Sequence, residues 1–397
     1  MSRSRQRSRF PQARVLRNSE ALLDSGVALI AQEGWGGVSF RSVTRRAGLS
    51  PQAIRSRYAD LSSLSCGLWQ ERLSPALEEV ISRLVDVADD PGGALAMEEL
   101  NDIAHLVMNP DDSLKAAADL LLVSQFHPDL QDSVEHSLGQ SVARWCRPRA
   151  GKMTAASAAR RAYLVISGLG LLLASYHPGS SRLDLSDALA PLLEALQEDR
   201  EPQPLPDVPA DQFGASLEFD SGDPLGDAIL TSTLEEVADR GYDRTTTARI
   251  AANAGCTEGA IFARYSSKLE LFNDANRRQA EAGYELNEEY LRKLGDEYGA
   301  GVAEAVYMRE VHLPKNRHLR ALHLESLRVT WHEPKVLKAN AREVATAYAR
   351  FHPSRTPAQR HLDYSISLGS SALPLLDSRC WSLPYDVVLI PFMDLLP

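Results

Sequence analysis

The sequence predicts an all-α fold, and three observations carry that expectation. Apolar residues recur at helical spacing through most of the 397 residues. No segment sustains the alternation of a strand. A stretch of 43 residues, Leu22 to Leu64, returns without gaps at Ile229 to Leu271, with eleven positions identical and the pattern of two short helices about a tight turn in both places. A repeat of that length is a duplicated domain rather than a solenoid unit.

Bulk composition narrows the class. At 397 residues the chain is expected to hold two to three domains of roughly 150 residues. Hydrophobic residues make up 44% and charged residues 24%, as in an ordinary soluble protein. The longest apolar run, Ala162 to Tyr176, is too short to span a bilayer and reads as a buried helix, so no membrane partner is expected. The arginine-rich start has no apolar segment after it and does not read as a secretory signal. Cys66, Cys146, Cys256 and Cys380 lie far apart without a Cys-x-x-Cys pair, which fits a reducing, cytoplasmic setting and no zinc or disulfide framework. The net charge of −10 speaks against nucleic acid until its distribution is read. Residues 1–60 hold eleven arginines and four acidic residues, a local +7 that leaves −17 for the remainder. A basic end on an acidic body suits a protein that docks one end on a polyanion.

The elements follow in order. Residues 1–18 form a basic arm containing Arg3, Arg5, Arg7 and Arg9, expected to be flexible. Residues 19–66 form the first helix-turn-helix domain. There Ser39 caps the first helix of the motif, Val43 and Ala47 face inward, Gly48 supplies the left-handed turn and Leu49 plugs the core. Ser50 is expected to cap the second helix, with Pro51 at its first position. That helix should run from Gln52 to Tyr58, packing Ala53, Ile54 and Tyr58 and turning Gln52, Arg55, Ser56 and Arg57 outward. Residues 67–197 read as several amphipathic helices, broken at Asp89 to Gly93, Asn109-Pro110, Pro148 to Gly151 and Pro178-Gly179. An acidic, proline-rich linker spans 198–224. Residues 225–273 repeat the motif, with Thr246 as cap, Ile250 and Ala254 inside, Gly255 at the turn, Cys256 as plug, Thr257 as second cap and a helix from Gly259 to Tyr265. Residues 274–397 form a second helical domain. The duplication reaches into it: Phe126-His127 aligns with Trp331-His332, and Tyr163 and Gly168 fall over Tyr364 and Gly369 at an offset of 201.

These residues resemble the TetR family of bacterial transcriptional regulators. The resemblance lies in a helix ending at Gly34 or Gly241 plus an aromatic (Trp35, Tyr242), then the cap, then RAGLS or NAGCT, then a helix closed by Tyr58 or Tyr265. It implies all-helical subunits, each with a three-helix DNA-binding domain before a helical effector and dimerisation domain, and repression of a DNA operator relieved by a small-molecule effector. Carried over by position, it makes Ser39, Arg41, Ser50, Gln52, Arg55, Ser56, Arg57 and Tyr58 DNA-contact candidates in the first copy. In the second they are Thr246, Thr257, Gly259, Phe262, Ala263, Arg264, Tyr265 and Lys268. Two departures matter. The family's phosphate-bonding aromatic is replaced by Arg55 in one copy and by Phe262, which cannot donate, in the other. The lysine after the helix survives as Lys268 but is Leu61 in the first copy, where the arginine arm is suited to phosphates or an A·T minor groove. Residues 225–280 carry seven basic and eight acidic groups, so weaker DNA binding is expected there.

The expected function is a ligand-responsive, DNA-binding repressor whose two units pair within one chain as a pseudo-dimer, or else through a homodimer. Different outward residues in the two heads imply an asymmetric or pseudo-palindromic operator. The competing reading is a small-molecule sensor or protein-interaction module with degenerate heads. Absent a phosphate loop, nucleophile elbow or metal motif, no enzyme and no cofactor is expected; His312, His318, His323 and His332 lack ligand spacing. Trp145, Phe126, Tyr163, Trp331 and Tyr364 are candidates for effector pockets or for core.

Overall fold

Every regular element among the described residues is helical, in nineteen α-helices joined by turns. The computed structural model describes residues 9–145, 154–207 and 218–396, with side chains from residue 15 onward except over 139–145. Two compact units emerge: residues 1–79 with 110–139, and residues 80–109 with 140–397. The division does not fall at the 198–224 linker, where the sequence places it. Helices from both halves of the chain share the core of the second unit.

The first unit opens with α1 (Arg9–Glu33). This helix begins ahead of Ser19, so the arm expected to be irregular is helical in its second half. Val15 and Leu16 are exposed there, which is why no buried stripe marked the start, and Pro11 lies in the first turn, where a missing N–H costs nothing. Then come α2 (Phe40–Ala47), α3 (Pro51–Arg55) and α4 (Leu61–Leu68), the last running through a π turn at Trp69–Leu73 into α5 (Ser74–Asp89). After α6 (Ala96–Met108), a member of the second unit, α7 (Asp112–Ser124) and α8 (Pro128–Trp145) complete the first. Leu22, Leu23 and Ile30 of α1 are buried together with Leu64 and Leu68 of α4 and Leu121 of α7.

The second unit adds α9 (Ala155–Ala174), α10 (Ser186–Gln197), α11 (Pro224–Arg240), α12 (Thr247–Asn253), α13 (Glu258–Phe262) and the long α14 (Lys268–Tyr298). It continues with α15 (Ala300–His312), α16 (Arg317–Thr330), α17 (Pro334–Phe351), α18 (Pro357–Ala372) and α19 (Asp386–Asp394). The first part of the linker is pinned to this body. Gln203 N–H donates to Asp386 Oδ2 at 2.8 Å, and Arg309 donates to the Pro206 carbonyl at 3.1 Å.

Helices α9 and α18 cross in backbone contact, with α10 and α19 beside them. A Cβ on Gly170 would overlap the carbonyl oxygen of Ser365, and a Cβ on Gly369 would overlap that of Ile166. The contact is reciprocal at an offset of 199, two residues from the register that places Gly168 over Gly369. By length and composition α9 could cross a bilayer, yet most of it is buried inside this unit. Gly168 faces only the side-chain tip of Leu84, which can rotate away. Gly170→Ala and Gly369→Ala are therefore expected to cost about 1–3 kcal/mol, despite alanine's helix preference of about 1 kcal/mol. Gly168→Ala should cost less. Equal losses of thermal midpoint at all three sites would refute the crossing.

Candidate nucleic-acid interface

Each helix-turn-helix is built by caps and one left-handed glycine. In the first, the Ser39 hydroxyl accepts the Ser42 amide at 3.0 Å while Ser42 Oγ accepts the Ser39 amide at 2.8 Å, closing a capping box on α2. Gly48 ends α2 at φ 64°, and its partner Gly255 follows α12 at φ 65°. A side chain at either position would be strained in the left-handed region, which is what lets two short helices meet at this angle. In the second motif Thr246 accepts from Arg249 N and Thr257 from Ala260 N, both at 3.3 Å. Ser50 occupies the corresponding position ahead of α3 but makes no side-chain cap. Its carbonyl takes the Ala53 amide at 2.9 Å, and the hydroxyl is left for another partner.

The presented helices are shorter than the sequence suggests. α3 stops at Arg55 and α13 at Phe262, each one turn before the closing tyrosine. Ile54 and Ile261 bury into the two cores. Tyr58 is also buried, and its hydroxyl accepts from Arg57 Nε at 2.9 Å; Tyr265 is half-buried and donates to Asp274 at 3.0 Å. Both are packing residues rather than surface contacts. Gln52, Arg55, Ser56 and Arg57 are exposed, as are Gly259, Phe262, Ala263 and Arg264. Arg3, Arg5 and Arg7 lie outside the described residues, as does the side chain of Arg9.

Charge separates the two faces. Arg41, Arg45 and Arg55 are exposed, and their side chains make no hydrogen bond or ion pair among the described residues. Their positional equivalents are Ala248, Ala252 and Phe262, all exposed, with Phe262 at 53%. The remaining cations of the second face are engaged. Arg249 and Arg240 both bind Glu236, at 2.9 and 3.0 Å, and Asn253 donates to the same carboxylate at 2.8 Å. Burial works against the charge of Glu236, but the bonds from Arg249 and Asn253 hold its pKa below the usual range. Arg264 pairs with Asp223 at 3.2 Å, as Arg57 pairs with Glu71 at 2.6 Å. These two pairs are solvent-exposed and weak, so either arginine can be recruited by a phosphate.

Lys268 departs from its expected role. Its ammonium donates to the carbonyls of Tyr242 and Thr245, at 2.8 and 2.9 Å, and lies 4.0 Å from the centre of the Tyr242 ring. Burial lowers its pKa. It braces the loop before α12 and does not stand free for DNA.

One recurring contact was not expected from sequence. The Trp35 amide donates to Asp119 Oδ2 of α7 at 2.7 Å, and the Tyr242 amide donates to Glu325 Oε1 of α16 at 2.7 Å. Both carboxylates are buried. Arg328 holds Glu325 at 2.7 Å and reaches Asp243 at 2.9 Å, closing the loop from the other side. A charged residue placed mid-helix among apolar neighbours was the available signal.

The span from Ile229 to Ala275, covering α11 to the start of α14, matches the model for bacterial regulatory proteins of the tetR family. Residues 229–275 are a TetR-family domain. This supports a DNA-binding transcriptional regulator of that family. No match was found among curated proteins. Behind the TetR-family domain, Glu325→Ala would remove one partner of the buried ion pair with Arg328 and is expected to cost about 3–5 kcal/mol. Asp119→Ala leaves a buried amide without its acceptor and should cost about 1–3 kcal/mol, whereas Asp119→Asn keeps a side-chain oxygen and should cost less. Urea unfolding curves of these variants that coincide with the parent would refute the contact.

Proposed function

We propose that the chain is a ligand-responsive DNA-binding regulator, a repressor of TetR type, with two TetR-like units paired inside one molecule. The observation that carries this reading is the shared turn. Gly48 and Gly255 adopt the same left-handed geometry between a capped helix and a short helix anchored by isoleucine, and the second of these motifs lies in the family match. The reciprocal contact of Gly170 with Ser365 and Gly369 with Ile166 supports internal pairing, since residue i meeting j while j meets i is the signature of a two-fold interface. Such pairing makes a single chain the working unit.

The first head supplies most of the affinity, through Arg41, Arg45 and Arg55 together with the arginines of the arm. The second contributes orientation and shape, because its exposed face offers Gly259, Phe262 and Ala263 where a reading head needs donors. An operator recognised by two unlike heads is asymmetric. Repression is relieved when an effector fills the cavity of the second unit, and the protein works in the cytoplasm without a cofactor. The alternative, a sensor whose heads no longer bind DNA, draws on the internally neutralised charges of the second head alone.

Selection from random duplexes followed by affinity measurement at several salt concentrations tests the proposal. The selected site should lack a perfect palindrome, and the complex should contain one 43.6 kDa chain. Arg55→Ala should weaken binding and reduce the salt slope by about 1, while Phe262→Ala should leave that slope unchanged. A perfect palindrome bound by two chains would overturn internal pairing. Absence of salt-dependent affinity for any duplex would overturn the regulator itself.

A further inference from the structure

The second unit holds a cavity of about 1710 Å³ lined from α14 to α19. Its wall is tyrosine-rich. Tyr284 and Tyr348 meet edge to face with ring centres 6.4 Å apart, and Tyr348 meets Tyr364 in the same way at 5.7 Å. Tyr307 and Tyr163 line the same space. Burial raises the pKa of all five hydroxyls, so the rings are neutral and their faces electron-rich.

Of the carboxylates that line this cavity, Glu304 and Asp363 lie close enough to Tyr163 to help raise its pKa. Asp363 of α18 is compensated by Arg355, whose Nη1 lies 3.2 Å from Oδ1, although its buried Oδ2 has no hydrogen-bond partner among the described residues. Glu304 of α15 forms no ion pair or hydrogen bond among the described residues. Burial pushes its pKa up to about 7, with Asp363 adding to the rise and Arg355 opposing it. A half-buried carboxylate that faces a tyrosine-lined cavity without a partner favours a cationic occupant. The basic groups on the cavity are paired elsewhere, neutral or exposed: Arg277 binds Asp274 and Glu281 at 2.7 and 3.0 Å, Arg292 pairs with Asp296 at 3.2 Å, and Arg350 lies 3.9 Å from Glu285. Arg320 is spent on the carbonyls of Val311 and Leu313, at 2.6 and 2.8 Å. Burial holds His323 at about 4, and it lowers His352 as well. Lys335 and Arg342 line the cavity from exposed positions.

We propose that this cavity binds an organic cation, a bulky apolar or aromatic molecule whose positive charge rests against Glu304 inside the tyrosine cage. The inference rests on the ligand-responsive reading above and names the chemistry of the ligand. Tyrosine faces attract cations through the ring quadrupole, and an unpaired carboxylate on the wall repels an anionic analogue. The volume exceeds the roughly 300–1,000 Å³ of common small-molecule sites, which favours a multi-ring ligand over a simple amine.

Tetraphenylphosphonium and tetraphenylborate have the same shape and opposite charge, so their titration into the full chain by calorimetry, without DNA, isolates the electrostatic part. The phosphonium should bind at least about tenfold more tightly than the borate. Glu304→Gln should remove about tenfold of the phosphonium affinity and leave borate binding no weaker. Tyr348→Phe keeps the ring and should retain affinity, while Tyr348→Leu should lose it several-fold, with circular dichroism checking that each variant is folded. Equal binding of the two ions, tighter borate, binding of neither, or a folded Glu304→Gln variant with unchanged preference would overturn the inference. If Glu304→Gln does not fold, the comparison of the two ions on the parent chain and the Tyr348 variants decides. Operator affinity measured on the same preparations separates the two readings. A phosphonium that binds through Glu304 without altering DNA affinity sinks ligand-responsive regulation and leaves the cation site standing. A DNA affinity that responds to other molecules in a chain that ignores the phosphonium does the reverse.

Discussion

A buried carboxylate that accepts the second amide after α1 or α11 ties each helix-turn-helix to the helices behind it. Asp119 and Glu325 are 1% and 0% exposed, and neither charge is tolerable in such a place without strong donors. The donor is a backbone N–H in the turn just past the helix, where the carboxylate is its acceptor, so each group answers the other's need. The constraint is positional as well as energetic. Trp35 and Tyr242 begin the segments that set α2 and α12, and their location is dictated by α7 and α16. In the second unit the same α16 also contributes Leu322 to the core of the TetR-family domain and His323, Ser326 and Leu327 to the cavity wall. One helix therefore touches both the cavity and the helix-turn-helix, with Glu325 between them. A shift of α16 by a fraction of a turn cannot leave Tyr242 in place.

The crossing of α9 and α18 explains why the compact units cut across the sequence halves. Two helices in backbone contact need glycine at the point of closest approach, and both supply one. The apolar run 162–176 was expected to form a buried helix, and it lies in α9, which packs on α18. The register was not legible: Tyr163 and Tyr364 align in sequence, but the reciprocal glycines set a different offset. Alignment weighs residue likeness, whereas a helix crossing weighs where a side chain must be absent. Of the aromatic residues marked for pockets, Tyr163 and Tyr364 line the cavity, Trp331 stacks instead on Tyr176 at 4.0 Å, Phe126 is buried in the first unit, and the side chain of Trp145 lies outside the described residues.

Local chemistry was the part that could be read in advance. Caps, turn glycines and the buried isoleucines act over three or four residues, so Ser39, Gly48, Thr246, Gly255 and Thr257 declare themselves in a single chain. Long-range pairing does not. Nothing near Lys268 says that its ammonium folds back onto the carbonyls of Tyr242 and Thr245. Glu236 stands where the first copy has the buried Leu29, and only the folded chain shows that it gathers Arg240, Arg249 and Asn253. The start of α1 was missed because an exposed helical turn leaves no apolar stripe to count.

The differences between the two helix-turn-helix motifs hang together physically. Three exposed arginines of the first head correspond to Ala248, Ala252 and Phe262 in the second, so the second face has lost charge where a polyanion would meet it. Once that charge is gone, the remaining arginines are free to serve the protein itself. A carboxylate in place of Leu29 is affordable only because Arg249 and Asn253 stand where the first copy has Ser42 and Arg46. The first head cannot adopt the same network without drawing cations away from its surface. Its interior stays apolar and its arginines stay outside, which is the division of labour that a phosphate-binding face requires.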